Sequence, residues 1–462
     1  MFRNLFRRIV TTIRNYIGLP SDRISPDYRL YRSAIQNPYL RQRLVECSIV
    51  EDEENSYYAG ILNTVAMHCV GTMPILLSDT NNETADDSVE QRWLAWGAHN
   101  EIGSALRKVR RDACLTGIGI GIPYTKETAL DPVKLCIRNV PSTALSTPPG
   151  MGVDERVIGG IKYDKNWDPE KIYITSESNP LGHDEYLVKD ILFFYKKSRY
   201  MGTPECGPAF TMYPSINRFL KAVVRGEEFR ESTPMALEQD PGFYQNFDKT
   251  PLTNKFEYEP GTIPSLPPAT KLVGIPGGAT ATDRIGMLKL MVGAAARCVD
   301  MPGNLALGDS SGHNMATAQV DIQPWKIHVE NDRFDFQPQL VTLFWLWYAE
   351  AQLIEGYLAY SARQLKPSTF IPFWNYDVLF HHPDPGKMAN ARATDLKSGA
   401  TTLTRVYAEQ GKKAKRELRK DAKLYGIPIE KLLELLLQSR TGINPVEDTN
   451  DEEDQQRQPA NQ

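Results

Sequence analysis

The sequence predicts a mixed α+β fold, mainly helical, and three observations carry that prediction. Long stretches repeat apolar residues at largely three- and four-residue spacing, as in Tyr58, Ile61, Leu62, Val65, Met67 and Val70. Short apolar runs rich in β-branched and aromatic residues, bounded by glycine and proline, cluster between 118 and 195. Thirty-two glycines and thirty-two prolines imply many connections between these elements.

Composition narrows the class. The 462 residues are 41% hydrophobic and 24% charged, enough for two to four domains with real cores. No apolar run reaches the roughly 18 residues that would cross a bilayer. The net charge of −4 gives no global basic footprint of the kind that marks a tight nucleic-acid binder. Six cysteines stand singly without a CxxC pair, which argues against a zinc ribbon or a disulfide scaffold and fits a reducing compartment.

Residues 1–45 form an N-terminal arm. Within it Phe2, Leu5, Phe6, Ile9, Val10, Ile13 and Ile17 share one helical face, with Arg3, Arg7, Arg8 and Arg14 outside it. Such a helix suits a membrane surface or a neighbouring subunit, and the subunit is favoured. Residues 20–45, rich in Pro, Arg and Tyr, read as an extended linker. Helices are expected from about 52 to 70, 87 to 98 and 102 to 116, then strands over 118–124, 133–140, 158–163 and 172–176. The segment DKNWDPEK reads as a hairpin turn. Gly117, Gly119 and Gly121 imitate a nucleotide-binding fingerprint but follow a helix and lead into a strand. Close backbone approach explains them better.

The stretch 189–233 organises the rest: a buried strand, a Gly/Pro loop, and an amphipathic helix entered through Pro214. On that helix Arg218, Lys221 and Arg225 make one basic stripe, spaced to meet phosphates or to pair with Glu227 and Glu228. Residues 234–279 show little regular pattern. The helix that follows is apolar nearly all round and so should be covered, by neighbouring subunits where the chain itself offers little mass. Residues 303–333 read as a loop, 336–360 as a core helix and 369–380 as an aromatic strand pair. A second basic cluster comprises Lys412, Lys413, Lys415, Arg416 and Arg419, and the acidic tail reads as disordered.

Catalytic motifs are missing. No Gly-Lys pair is followed by Ser or Thr, and there is no GxSxG or HExxH. His381, His382 and Asp384 are the best candidate metal ligands, although neighbours in an extended segment point apart. No catalytic residue and no cofactor is expected, with a metal-dependent enzyme at this segment and a membrane-surface protein as the alternatives.

The order of these parts resembles the portal proteins of tailed bacteriophages, the lambda-like branch. Their strand, Arg and Gly-x-Pro-x-x-x-Pro signature stands here as Phe193, Phe194, Tyr195, Arg199, Gly202, Pro204 and Pro208. Glu259-Pro-Gly and Leu266-Pro-Pro, Val299-Asp-Met-Pro302, Gly312 to Gln319, and Asp384-Pro-Gly-Lys387 follow in the family's sequence of motifs. Met315, Ala316 and Gln319 stand where the family has an aromatic, a Ser and an Arg. The resemblance implies a non-enzymatic ring, typically of twelve subunits, at one capsid vertex. Through it a terminase threads double-stranded DNA, later ejected, and tail or neck proteins attach to it.

It also implies a portal architecture: a wing (46–212 and 333–395), two stem helices (213–232 and 280–299) and a clip between them (233–279). A tunnel-loop region (300–332), a crown (396–440) and a disordered tail (441–462) complete it. Arg218, Lys221 and Arg225 would face the DNA, and Ser310, Ser311, Gly312, His313, Asn314 and Met315 would form the tunnel loop. Partners implied are further copies of the chain, the terminase large subunit at the clip, head–tail adaptors, the major capsid protein and a scaffold, but no membrane. The location implied is the virion, with assembly in the host cytoplasm.

Overall fold

A computed structural model describes residues 38–441 except 79, 81, 152–155, 177–181, 200, 232–234, 240–269, 275–280, 312–314, 368–369, 377–384 and 410–413. The arm proper, the His381/His382/Asp384 segment, Gly312, His313, Asn314, Lys412 and Lys413 therefore lie outside the described residues, as does the tail from 442. Among the described residues the fold is mixed and mostly helical, as expected.

The chain enters through α1 (Pro38–Glu54), where the sequence suggested linker; a proline in the first turn loses no helical bond and its fixed φ is already helical. Asn55 ends it and caps α2 (Ser56–Val70), accepting from the N–H groups of Tyr57 and Tyr58. After β1 (Ile75–Leu77) come α3 (Glu83–His99) and α4 (Ile102–Thr116). Helix α4 is buried on two sides. Ile102, Leu106 and Val109 join Trp93 and Trp96 in one core, while Cys114 belongs to another.

Two antiparallel sheets follow. One has the order β3–β2–β8, built from β2 (Gly119–Thr125), β3 (Leu135–Val140) and β8 (Leu192–Phe194). The other runs β4 (Val157–Ile158), β5 (Ile161–Tyr163), β6 (Pro169–Thr175) and β7 (His183–Leu187) in sequence. The DKNWDPEK turn joins β5 to β6 as predicted, with Asp164 accepting from the N–H groups of Asn166 and Asp168. The glycine reading also holds. A Cβ on Gly119 would lie 2.0 Å from the Val109 carbonyl oxygen, and one on Gly121 would lie 2.9 Å from Ile137 Cγ2. These residues let α4 lie against the strand.

Beyond the sheets run α5 (Tyr213–Glu231), β9 (Met235–Gln239), β10 (Thr270–Gly274) and α6 (Ala281–Ala296). A short α7 (Gly303–Leu307) leads to α8 (Met315–Ala351), 37 residues long. Here the expected loop over 303–333 gives way to helix across most of its length. Pro324 and Pro338 sit inside α8, both with their rings exposed, so the clash and the lost backbone bond fall on the solvent side, where water can bond the freed carbonyls. The helix also ends at 351 instead of 360. Of the expected aromatic strand pair over 369–380, the described residues form one strand, β11 (Phe373–Asn375), whose partner is β1 nearly 300 residues earlier; 369 and 377–380 lie outside the described residues. Four helices finish the described chain: α9 (Pro385–Ser398), α10 (Leu403–Glu409), α11 (Ala414–Tyr425) and α12 (Ile429–Thr441).

The largest core is aromatic. Trp93 meets Trp347 edge-on at 5.4 Å, and the two indole N–H groups of α3 donate to the carbonyls of Pro74 and Leu135. A second core joins α1, α2, α5, α6 and the middle of α8. A third lies between the two sheets, and a fourth, small, holds α11 against α12.

Candidate functional site: the neck

Strand β8 divides two cores because neighbouring side chains on a strand point to opposite faces. Phe193 enters the core between the sheets and Phe194 enters the aromatic core, meeting Phe336 at 5.0 Å. The Phe193 N–H donates to Gln339 of α8, 2.8 Å away. The strand is thereby tied to the long helix before the chain turns into the loop.

In that loop Arg199 makes a two-pronged bond. Nη1 donates to the Glu205 carbonyl at 2.6 Å and Nη2 to the Cys298 carbonyl at 2.8 Å. One guanidinium thus holds the segment leaving the sheets and the segment returning from α6. Gly202 has φ of +74°, and a Cβ there would press on Arg41, whose Nη2 donates to the Gly159 carbonyl. The Glu205 N–H donates to the Cys114 carbonyl. Of the motif residues singled out by resemblance, Phe193, Phe194, Arg199 and Gly202 therefore each have a positional task.

Beneath the loop lies a buried charge cluster that the sequence did not reveal. Arg110 donates to Asp332 through Nε (2.7 Å) and Nη2 (3.0 Å) and lies 2.8 Å from Glu205. Lys196 reaches Asp332 at 3.3 Å and Glu205 at 3.7 Å. Arg110, Asp332 and Glu205 are each buried. Burial opposes the charges, but Asp332 and Glu205 together outweigh it for Arg110, whose pKa rises further, and the two cations hold Asp332 down to about 2. Two cations against two carboxylates leave no net buried charge.

His328 extends the cluster toward the helical pair. Lys196 Nζ lies 3.2 Å from its Nε2, so that nitrogen accepts, and Nδ1–H donates to Asp300 at 3.3 Å. Burial and the nearby Lys196 push its pKa down, which agrees with a neutral ring. Asp300 has φ of +56° and ends the turn after α6, within the Val299-Asp-Met-Pro302 segment.

Helices α5 and α6 leave and re-enter at this one place. At the base Tyr213 packs edge-on against Tyr58 at 4.8 Å, and Ile216, Val292, Ala295 and Val299 are buried together. Farther out Glu227 of α5 pairs with Arg284 of α6. The end of α5 therefore lies beside the start of α6, and the two run antiparallel. Past them β9 and β10 pair antiparallel from Met235↔Gly274 to Gln239↔Thr270.

Arg218, Lys221 and Arg225 are all exposed on α5 and form no ion pair among the described residues. Glu227, a partner the sequence offered them, is turned to α6. On α6 Ile285, Met287 and Leu290 are exposed, Leu290 by 67%, so within one chain the apolar helix is covered on its inner side only. Ser310 and Ser311 are exposed. The Ser311 hydroxyl, Lys289 Nζ and the Ser311 N–H all bond Asp309, and these bonds lower its pKa. Met315 opens α8.

In the second basic cluster Lys415 and Arg419 are exposed and Arg416 is half-buried. Its guanidinium reaches Asp87 and Glu90 of α3, fixing α11 to the aromatic-core helix. No group of three His, Cys, Asp or Glu side chains among the described residues is placed to hold a metal, and no described helix is long and apolar enough to cross a membrane.

No protein-family model matches this sequence, and no curated protein does. Among solved structures the chain is similar to one in the virion of a native gene transfer agent particle. That match has a TM-score of 0.42 at 11% identity, over 83% of this chain and 96% of that one. It is also similar to a chain in the neck of an empty particle computed with C6 symmetry (TM-score 0.42, 12% identity, 83% and 96% covered). A chain in the neck of a native particle, computed with C12 symmetry, gives TM-score 0.38 at 12% identity, covering 78% and 90%.

Proposed function

We propose that this chain is the subunit of a ring-shaped portal, expected to have twelve copies, at one vertex of a capsid. The observation that carries the reading is the antiparallel pair α5/α6. It projects from a single charged and hydrogen-bonded base and is closed at its far end by the β9/β10 ladder, with the portal-like sequence motifs concentrated at that base. The pair serves as the stem and residues 233–279 as the clip, where the terminase large subunit and later head–tail adaptors would dock. Residues 46–212 and 333–395 form the wing, meeting capsid protein and scaffold; 300–332 lead to the tunnel loop, and 396–440 form the crown.

The exposed apolar side of α6 then has an occupant, since heterologous contacts around a closed ring cover the same patch on every copy. The exposed stripe of Arg218, Lys221 and Arg225 faces the bore. Three cations per copy meet passing phosphates, while a mildly acidic subunit limits retention, because many phosphate contacts would hold the DNA in a strongly salt-dependent way. In this role the chain guides DNA in packaging and in ejection and performs no chemistry.

Negative-stain imaging and native mass spectrometry of the purified full-length chain test the reading. A large closed ring is expected. A chain that stays monomeric in all conditions, with scaffold present, overturns it.

A further inference from the structure

The six cysteines stand singly in the sequence, yet three of them meet at the neck. Cys114 lies in the last turn of α4, Cys206 in the loop before α5, and Cys298 in the turn after α6. The turn Gly207–Ala209 packs against the turn Arg297–Val299. Arg199 bridges the carbonyl of Glu205, the residue before Cys206, to the carbonyl of Cys298 itself. The Glu205 N–H also donates to the Cys114 carbonyl. The backbone thus gathers all three residues, and the Cys206 thiol sits within bonding reach of both the Cys114 and the Cys298 thiols. All three are free thiols.

Their access differs. Cys114 and Cys206 are fully buried. Cys298 is half-buried and lines a cleft of about 600 Å³ between the neck loop and α8, together with Lys196, Arg199, His328 and Phe334. A small solute in this cleft meets one sulfur, and a second lies behind it. When protonated, Cys298 donates to the Ala295 carbonyl at 3.0 Å. As a thiolate it is favoured by the bond from Cys206 and then by the Arg199 guanidinium, which outweigh burial and Glu205 and lower its pKa. Bonds to Cys114 and Cys298 push the Cys206 thiol up.

These sulfurs are not placed to hold a metal. We propose that Cys298 is a peroxide-reactive thiol and Cys206 its resolving partner, so that oxidation closes a disulfide across the base of the α5/α6 pair. The Cys298 sulfur attacks one oxygen of hydrogen peroxide. The S–O bond forms, the O–O bond breaks, and the hydroxide released leaves as water with the Cys298 proton. The Cys206 sulfur then attacks the Cys298 sulfur. The S–S bond forms, the S–O bond breaks, and the second hydroxide leaves as water with the Cys206 proton. Two thiols are oxidised and one peroxide is reduced to two waters. The bond ties the loop that enters α5 to the turn that leaves α6, and it forms within a single chain whether or not a ring assembles.

The test treats the reduced full-length chain with a small excess of hydrogen peroxide, blocks the remaining thiols with iodoacetamide and maps the digest by mass spectrometry. A linked Cys206–Cys298 peptide, lighter by two hydrogens and split by dithiothreitol, is expected. The melting midpoint should rise by about 5 °C or more, because the bond closes a long loop. In Cys206→Ala the reaction should stop at the sulfenic acid, and dimedone labelling of Cys298 should exceed that of wild type by about fivefold. Cys47, the other half-buried cysteine, is the internal control. Oxidation of Cys298 no faster than that of Cys47 overturns the proposal, as does a Cys298 that remains fully alkylated. A bond from Cys206 to Cys114 in place of Cys298 overturns it as well.

Discussion

Asp332 shows what a single carboxylate contributes at the neck. It satisfies Arg110 twice and Lys196 once, so its loss leaves two buried cations with one acid between them. Asp332→Asn should destabilise the chain by about 3–5 kcal/mol, read from the denaturant midpoint. An effect below about 1 kcal/mol would mean that the cluster is not desolvated. The same group sets an acid limit. Ionised down to about pH 2 when folded and to about 4 when unfolded, it stabilises the fold fully above pH 4, and that contribution is lost as pH falls toward 2. The loss should be about 2 kcal/mol and absent from Asp332→Asn. None of this was legible in the sequence. Asp332 lies 222 positions from Arg110, and the run around it looked like loop because prolines, polar residues and β-branched residues weaken the helical signal. Arg199 was legible as a motif member, while its double carbonyl bond was not.

Among the elements, α6 makes the sharpest prediction. Its outer residues touch nothing that holds the single chain together, so Ile285→Glu with Leu290→Glu should shift the melting free energy of the isolated subunit by no more than about 0.5 kcal/mol. Assembly on native mass spectrometry should nonetheless collapse to small species. Strong destabilisation of the monomer would instead place that face inside the fold. Gly119 is the converse case, buried and intolerant. Gly119→Ala should cost about 1–3 kcal/mol or more by thermal denaturation, since the added carbon meets backbone and not a movable side chain. Both elements could be read from sequence, the helix by its apolar girth and the glycine by its strand context. Helix α1 and strand β11 were missed for a common reason. A proline-led, arginine-rich start resembles linker, and a three-residue strand is defined by a distant partner more than by its own residues.

At the scale of the whole molecule, Arg416 ties α11 to α3 through Asp87 and Glu90. Burial works against its charge, and Glu90 and Asp87 more than offset that. Arg416→Ala should speed limited proteolysis between 398 and 414 severalfold while the aromatic core around Trp93 and Trp347 melts unchanged. Equal cleavage rates would show that other contacts seat α11. In the proposed ring, Arg218→Gln/Lys221→Gln/Arg225→Gln should lower packaging yield with ring assembly intact, and an unaltered yield refutes the bore-facing assignment. The order of parts along the chain was legible because each carries its own punctuation of glycine and proline. Their attachment to one another was not, because it depends on pairs such as Arg416 with Asp87 that no local pattern announces.

The buried cluster of Arg110, Lys196, Glu205 and Asp332 has a consequence for tolerance. Apolar contacts are non-directional and allow one element to slide on another, whereas forked charge pairs accept little rotation. In a closed assembly an angular error at each joint is multiplied by the number of copies, so a joint that is slightly loose produces open spirals in place of rings. A cluster that contributes little net stability can still be the part that sets the angle at which each copy in the proposed ring meets the next.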